Sequence, residues 1–320
     1  MSIRTAPILL LLAAMACTAA AAADKVSSLD VRLLSTMLTS NEGYGEWGFA
    51  ALVVADGHRI LFDTGAHPDT VLNNARDLHI DLSNVPDVIL SHHHLDHTAG
   101  LVTLRREYAK TNPAALSRAH VGAGIFLSRT DGGAPEANPM IATKRDYESA
   151  GGTFIEYIQT RELFPGIWLT GPVPRKYPEK NWNPGRMLRA ADGKTTEDNL
   201  PEDQSLVIVT DKGLVVISGC GHSGIVNTME YARAKIARAP IYAALGGFHL
   251  YQASDGTLAW TASKLKEFGL QNLLGAHCTG IEAVYRLRQL TGLDRKTAAV
   301  GAVGGGFNLA TGLDPGAIAR

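Results

Sequence analysis

The sequence predicts an α/β protein of the α+β type: a sandwich of two mixed sheets covered by helices. Three observations lead there. Apolar, partly β-branched runs of strand length alternate with stretches whose apolar residues recur at helical spacing. Each half of the chain follows a similar order of hairpin, polar loop, helix, strand, polar loop, helix, and hairpins mixed with helices suggest two sheets under a helical cover. In each half the histidine-bearing loops follow the C-terminal ends of strands, which places them on one edge, where several loops converge.

Length and composition bound the reading. The 320 residues are 45% hydrophobic and 19% charged, enough for a proper core and too apolar for disorder. Thirty Lys and Arg against 31 Asp and Glu leave a formal charge of −1, so the overall balance invites neither nucleic acid nor an anionic membrane. Arg4, the apolar run Ile8–Leu12 and the small residues Ala19–Ala23 form the pattern of a secretory signal over 1–23, with the mature domain at 24–320. The apolar run is too short to span a bilayer, and no later stretch is long enough. Cleavage after the alanine run predicts a periplasmic or secreted protein; Cys17 offers the alternative of a lipid-modified N-terminus. Its removal leaves Cys220 and Cys278, each beside a histidine, which raises a metal or active-site reading over a structural bridge.

The elements follow in order. Residues 29–38 and 49–55 read as strands, and His58–Phe62 pairs back after the Asp56-Gly57 turn. Pro68 opens a helix with Val71, Leu72, Ala75 and Leu78 on one face. Asp87–Leu90 is a short apolar strand that runs into Ser91-His92-His93-His94-Leu95-Asp96-His97, and Leu101, Leu104 and Tyr108 stripe the helix after it. Residues 111–152 read as loops with one or two short strands, Phe154–Ile158 and Ile167–Thr170 as strands, and 171–201, rich in Pro, Gly and charge, as one long loop. Ser205–Thr210 and Leu214–Ser218 form a second hairpin that ends in Gly219-Cys220-Gly221-His222. Helices marked by Ile225, Met229, Ala232 and Ile236, by Leu258, Ala262, Leu265 and Phe268, and by Val284 and Leu287 follow. Between them lie the strand Ile241–Leu245, which runs into Gly246-Gly247-Phe248-His249, and Leu273-Leu274, which leads to His277-Cys278. Ala298–Val303 closes the chain as a strand.

The chemistry concentrates at residues 92–97. His92 and His94 leave a strand at i and i+2, so both imidazoles reach one side while His93 points away. The chain then turns, and Asp96 and His97 face a second position. Four ligand-type residues within six positions, imidazole and carboxylate together, suit Zn2+, with Fe and Mn as alternatives.

This His-x-His-x-Asp-His run resembles the metallo-β-lactamase superfamily. Asp63-Thr64-Gly65 and Thr98-Ala99-Gly100 resemble its supporting segments. Thr170–Arg175, Glu202–Leu206, Gly213–His222, Gly246–Leu250 and Ala276–Gly280 resemble a narrower subgroup within it. That subgroup is the one named after 7,8-dihydropterin-6-methyl-4-(β-D-ribofuranosyl)aminobenzene-5'-phosphate synthase. The resemblance implies the αββα sandwich, two metal ions and a late histidine ligand at His277. The superfamily's usual Gly-His-Thr segment is missing; Glu202-Asp203-Gln204 lies in the corresponding stretch, and His222 is the best replacement ligand. The expected metal set is thus His92, His94, Asp96, His97, His222 and His277, with Asp96 also orienting the nucleophile. Asp63 is expected to brace the metal loop. Cys220 is either a thiolate ligand or a buried structural cysteine, and His249 contacts a ligand or the substrate. Arg175, with Lys176 and Arg186, Trp182 and Tyr177, either meets the substrate from the long loop or lies in an exposed charged segment. His58, His67, His79 and His120 have no such context and read as surface residues.

The function that follows is a metal-dependent hydrolase. A metal-bound hydroxide would attack an ester, lactone or phosphoester of a small molecule, without a Ser or Lys nucleophile. A transferase of the synthase type is the alternative, with export counting against it. A non-catalytic metal or ligand binder is the third reading, and the intact motif counts against that.

Overall fold

The computed structural model describes residues 23–130, 136–190 and 192–319; all but the last residue of the expected secretion signal lies outside them. In chain order the first elements are β1 (Leu29–Ser35), β2 (Ala50–Ala55), β3 (His58–Phe62), α1 (Thr70–Asp77), β4 (Asp87–Leu90), α2 (Leu95–Thr98), α3 (Leu101–Tyr108), β5 (Arg118–Gly122), β6 (Ser128–Thr130), α4 (Met140–Ser149) and β7 (Thr153–Tyr157). Then come β8 (Arg161–Phe164), β9 (Ile167–Leu169), β10 (Met187–Arg189), β11 (Thr195–Glu197), β12 (Ser205–Thr210), β13 (Gly213–Ser218), α5 (Ile225–Lys235) and β14 (Ile241–Gly246). The last are α6 (Asp255–Glu267), β15 (Asn272–Gly275), α7 (Ile281–Thr291), β16 (Ala298–Val300), β17 (Gly306–Asn308) and β18 (Gly312–Asp314).

Alternation along the strands builds the layers. Successive side chains of a strand point to opposite faces. Val31, Val53, Ile60 and Phe62 of the first sheet therefore meet Leu206, Ile208, Val215 and Ile217 of the second in the central core. Their neighbours in sequence point outwards. Leu52, Leu61 and Val88 pack under α1, α3 and α4 through Leu72, Leu101 and Tyr147. Val207, Val216 and Leu273 pack under α5, α6 and α7 through Met229, Leu265 and Leu287. The result is an αββα sandwich. Strands β12 and β13 expose no residue, which is why they read as unbroken apolar runs.

The sheet order explains where the site lies. The first sheet runs β18-β17-β1-β2-β3-β4-β5-β7 and the second β16-β15-β14-β13-β12-β9-β8. Strands β3 and β4 are parallel with Phe62 beside Ile89. Strands β13, β14 and β15 are parallel with Ser218 beside Gly246 and Gly246 beside Gly275. The loops at 63–65, 91–97, 219–222, 247–249 and 276–278 therefore leave the two sheets at adjacent points of one edge.

Several elements differ from the sequence reading. Helix α4 lies in a stretch read as loop, because only Met140 and Tyr147 are buried and no continuous apolar stripe marks it. The loop 171–201 contains β10 and β11, which with β6 form a small third sheet; β11 is wholly exposed and carries no apolar signal. The chain closes with β17 and β18, which return to the first sheet beside β1. His120 is not a surface residue: it is 5% exposed, with Nε2 2.8 Å from Asp87 and Nδ1 2.9 Å from the Tyr157 hydroxyl. Among the described residues no helix is long and apolar enough to cross a membrane.

Candidate metal centre

After β4 the chain bends at His92 and His93 and brings the His92 and His94 rings together, their centroids 4.6 Å apart. His93 turns away and holds Glu202 through Nδ1 at 2.7 Å. His94 caps α2, and that turn carries Asp96 and His97 to the neighbouring position. His222, from the loop after β13, brings its ring to 4.6 Å from His92 and 4.9 Å from His94. His277, after β15, places Nε2 3.3 Å from Asp96 and its ring 4.9 Å from that of His97. All six residues expected as ligands thus meet in one place. Their donor atoms form groups within 4.8 Å: His92 with His94 and Asp96, His92 with Cys220 and His222, and His97 with Cys220 and His277. A further group joins Cys220, His249 and Cys278. Cys220 belongs to both the His92–His222 group and the His97–His277 group, its sulfur 3.4 Å from His277 Nε2 and 3.0 Å from Cys278 Sγ.

The surroundings fix which nitrogen of each ring faces inwards. The fully buried Asp63 accepts from Ser91 N–H and from Ser91 O–H, both at 2.7 Å. It also accepts from His97 Nδ1 at 2.7 Å. Ser91 Oγ, with its proton on Asp63, accepts from His92 Nδ1 at 2.9 Å. The Asn181 carbonyl accepts from His222 Nδ1. Three imidazoles thus carry their proton on Nδ1, and their Nε2 atoms are buried without a hydrogen-bond partner. Buried polar atoms without partners are costly, and three of them converging with Asp96 and Cys220 fit a cation. Histidine metal ligands are oriented in this way, through their second nitrogen.

Glu202, Asp203 and Gln204 support the same loops from behind. Glu202 binds His93 and the Arg129 guanidinium, Asp203 accepts from Ser223 N–H at 2.8 Å, and Gln204 donates to the Leu90 and His120 carbonyls. The site is also strained: Asp63, His249 and His277 have φ of 57°, 51° and 45°, a conformation that costs a non-glycine residue energy and tends to mark functional loops. Gly219 has its own reason to be glycine. A Cβ there would lie 2.1 Å from Ser91 Oγ and 2.4 Å from Asp63 Oδ2, against the brace itself.

Protonation follows burial and neighbours. Burial, then the surrounding imidazoles, hold His92 and His94 well below the ordinary histidine range. Burial, then His249, lower His222 to about 3. These rings stay neutral, as ligation requires. Burial raises Asp96, but His97 and His277 outweigh it and bring its pKa to about 2. Burial works against charge on His277, yet Cys278 and Asp96 prevail and raise it to about 10.

The groups open into a cavity of about 590 Å³ lined by Trp47, His94, Asp96, Arg186, His249 and Tyr251, among others. Of the residues expected to meet a substrate, Arg186 and His249 line it. Arg175 does not: its guanidinium donates to the Asn199 carbonyl and lies 5.3 Å from the Trp182 ring. Lys176 pairs with Glu230, and Tyr177 packs on Trp260. Trp47, 5.1 Å from the His277 ring, was missed; Cys278, marked in the sequence by its place beside His277, joins Cys220 and His249 in one donor group.

Comparisons with known proteins agree with the fold. The profile of the family described as the metallo-beta-lactamase superfamily matches residues 48–237. The 7,8-dihydropterin-6-methyl-4-(beta-D-ribofuranosyl)-aminobenzene-5'-phosphate synthase of Methanocaldococcus jannaschii is 33% identical over 229 residues, 70% of this chain and 76% of that protein. The crystal structure of Tm1679, described as a metal-dependent hydrolase of the beta-lactamase superfamily, is 28% identical with a TM-score of 0.67. The match covers 82% of this chain and 93% of that one. The metallo-beta-lactamase fold protein YhfI from Bacillus subtilis shares the fold at 12% identity and a TM-score of 0.54, over 88% of this chain and 98% of its own.

Proposed function

The chain belongs to the metallo-β-lactamase superfamily, and from that premise we propose that it is a metal-dependent hydrolase of an ester, lactone or phosphoester bond in a small molecule. The observation that carries this reading is the set of inward-facing, unpartnered Nε2 atoms of His92, His97 and His222. His92, His94 and His222 would hold one ion, and Asp96, His97 and His277 a second, with the Cys220 thiolate between them. Imidazole, carboxylate and thiolate donors suit Zn2+, and Fe or Mn suits the imidazole–carboxylate part. Bound there, such ions bring a coordinated water to a pKa near 7 and polarise a carbonyl or phosphoryl oxygen.

The chain's own residues do the rest. Asp96 stays ionised and accepts a hydrogen bond from the attacking water, which orients it. Arg186 lines the same cavity as His94 and Asp96, where it would face a phosphate or carboxylate of the substrate. Trp47 covers His277 and keeps bulk water from that side. The cavity volume falls in the range of small-molecule sites. The 28% identity with Tm1679 supports hydrolysis. Export through residues 1–23 belongs to the same reading and directs the search to environmental or periplasmic substrates. The second reading, a synthase of the archaeal relative's kind, is favoured by the 33% identity.

The test is metal content of the purified protein beside His94→Ala and His222→Ala, with a panel of phosphodiester, phosphomonoester, lactone and carboxylic ester. About two equivalents of metal are expected in the parent, fewer in both variants, and hydrolysis lost in both. Full metal in His222→Ala removes that residue from the ligand set. A parent that binds metal tightly but cleaves nothing favours the synthase. No tight metal under several supplements leaves a non-catalytic binder.

A further inference from the structure

The metal cavity is one of two adjoining spaces. The second, about 910 Å³, shares Asn183, His249 and Tyr251 with the first. Its walls are the segment 178–184 of the long loop and the chain from 249 to 261, including Trp182 and Trp260.

The two lobes differ in chemistry. The metal lobe gathers the histidines, Asp96 and Arg186. In the second lobe the Glu179 carboxylate is tied to the backbone N–H groups of Val226 and Asn227 at 3.2 and 2.8 Å, and Lys180 is exposed to solvent. What remains is without Asp, Glu, Lys or Arg, and sets Trp182, Tyr251 and Trp260 among proline and neutral polar side chains. Trp260 is held edge-on by Tyr177 at 5.9 Å, and Trp182 lies against the Arg175 guanidinium, so both indoles are held in place before any ligand arrives. Tyr251 stands at the junction, 43% exposed, in edge contact with Trp47 at 5.3 Å and His249 at 5.5 Å. The Thr261 hydroxyl is buried and has no partner. Exposed Tyr251 and half-buried Trp182 and Trp260 gathered in one concave wall mark a binding surface more often than scattered apolar residues do.

We propose that this second lobe is the subsite for a planar, uncharged aromatic group of the substrate, placed between Trp182 and Trp260 with Tyr251 at its entrance. The substrate class is then an ester, lactone or phosphoester that carries an aromatic or heteroaromatic ring close to the scissile bond. Its anionic or reacting end lies in the metal lobe. This rests on the hydrolase reading for the placement of the reacting end.

The experiment uses the zinc-loaded protein and three phosphonates that cannot be hydrolysed, with methyl, cyclohexylmethyl or 2-naphthylmethyl substituents, titrated calorimetrically. The naphthyl compound is expected to bind at least about tenfold more tightly than the methyl one, the gain of one or two aromatic contacts, and more tightly than the cyclohexyl one. Trp182→Ala and Trp260→Ala should each remove most of that gain while zinc content and the methylphosphonate Kd stay unchanged. Trp182 lies in a loop, so its removal does not test the core. Equal binding of the three compounds, a cyclohexyl compound as tight as the naphthyl one, a gain that survives both substitutions, or no phosphonate binding with zinc in place would each overturn the proposal. An aromatic preference in a protein that hydrolyses nothing refutes the hydrolase and leaves the subsite. Hydrolysis without the preference refutes the subsite alone.

Discussion

Replacing Asp63 by asparagine tests the bracing of the metal loops most directly. Asp63 is fully buried, and its two oxygens accept three hydrogen bonds, from Ser91 N–H, Ser91 O–H and His97 Nδ1, all at 2.7 Å. An amide offers one acceptor oxygen and one NH2 group that only donates. In either orientation its NH2 group faces a group that was donating. With the oxygen on Ser91 N–H, the bonds from Ser91 O–H and His97 are lost. Hydrogen bonds to a charged group contribute about 1.5–3 kcal/mol each, so Asp63→Asn should destabilise the fold by roughly 3–6 kcal/mol before relaxation. The effect on metal is separable. Without the carboxylate, His97 is free to move its proton to Nε2, the atom that must be bare to ligate, and losses of such supporting contacts typically cost about 10–100-fold in metal affinity. Competition with a chromophoric chelator gives the affinity, and urea unfolding of the metal-free protein gives the stability. An Asp63→Asn protein that unfolds more easily yet binds zinc as tightly as the parent refutes the tautomer argument; one unchanged in both refutes the hydrogen-bond network.

Much of the fold is legible because its signals are local. β12 and β13 are continuous apolar runs around the turn Asp211-Lys212-Gly213, and the helices over the second sheet carry full apolar stripes. What escapes depends on contacts distant in sequence. β17 is three residues long and starts in Gly304-Gly305-Gly306; it exists because it pairs with β1 some 270 residues away in the chain. Helix α4 buries only two side chains, and β11 buries none, so neither alternation nor a stripe announces them. His120 looks like an isolated histidine in sequence because its partners, Asp87 and Tyr157, come from strands on either side of it in the sheet.

The site divides in the same way. Ligand-type residues at i, i+2, i+4 and i+5 after a strand state their geometry in one dimension. The meeting of His222 and His277 with that run follows only from the parallel register of β13, β14 and β15. No pattern reveals that Asn181, in an irregular loop, orients His222 through a main-chain carbonyl, since any residue supplies one. The same limit explains Arg175. A cation in a long loop suggests an anionic ligand, but backbone carbonyls of the same loop can hold a guanidinium, and those of Asn199 and Leu200 accept from one of its NH2 groups.

Two further perturbations probe the thiolate and the loop. Cobalt-substituted protein should show a thiolate-to-cobalt absorption band that Cys220→Ser abolishes, since Cys220 lies in three of the donor groups and a thiolate binds such ions well. A band that persists in Cys220→Ser moves the sulfur ligand to Cys278. Glu179 ties the long loop to the start of α5, and burial, against the N–H groups of Asn227 and Val226, raises its pKa from 4.5 to about 7. Between those values the folded state holds a proton that the unfolded chain has released, so this group's contribution is complete below pH 4.5 and is lost as pH rises towards 7. Glu179→Gln keeps an uncharged side chain at every pH. The difference in unfolding free energy between the parent and Glu179→Gln should therefore shift in favour of the variant across that window, by an amount on the order of 1.4 kcal/mol for each unit of pKa shift, and stay constant above it. Buried Asp203, raised to about 6 by burial, slopes the same way in both proteins and cancels in the difference. A difference that is flat from pH 4 to 8, or that favours the parent as pH rises, would mean that Glu179 is ionised throughout at the start of α5.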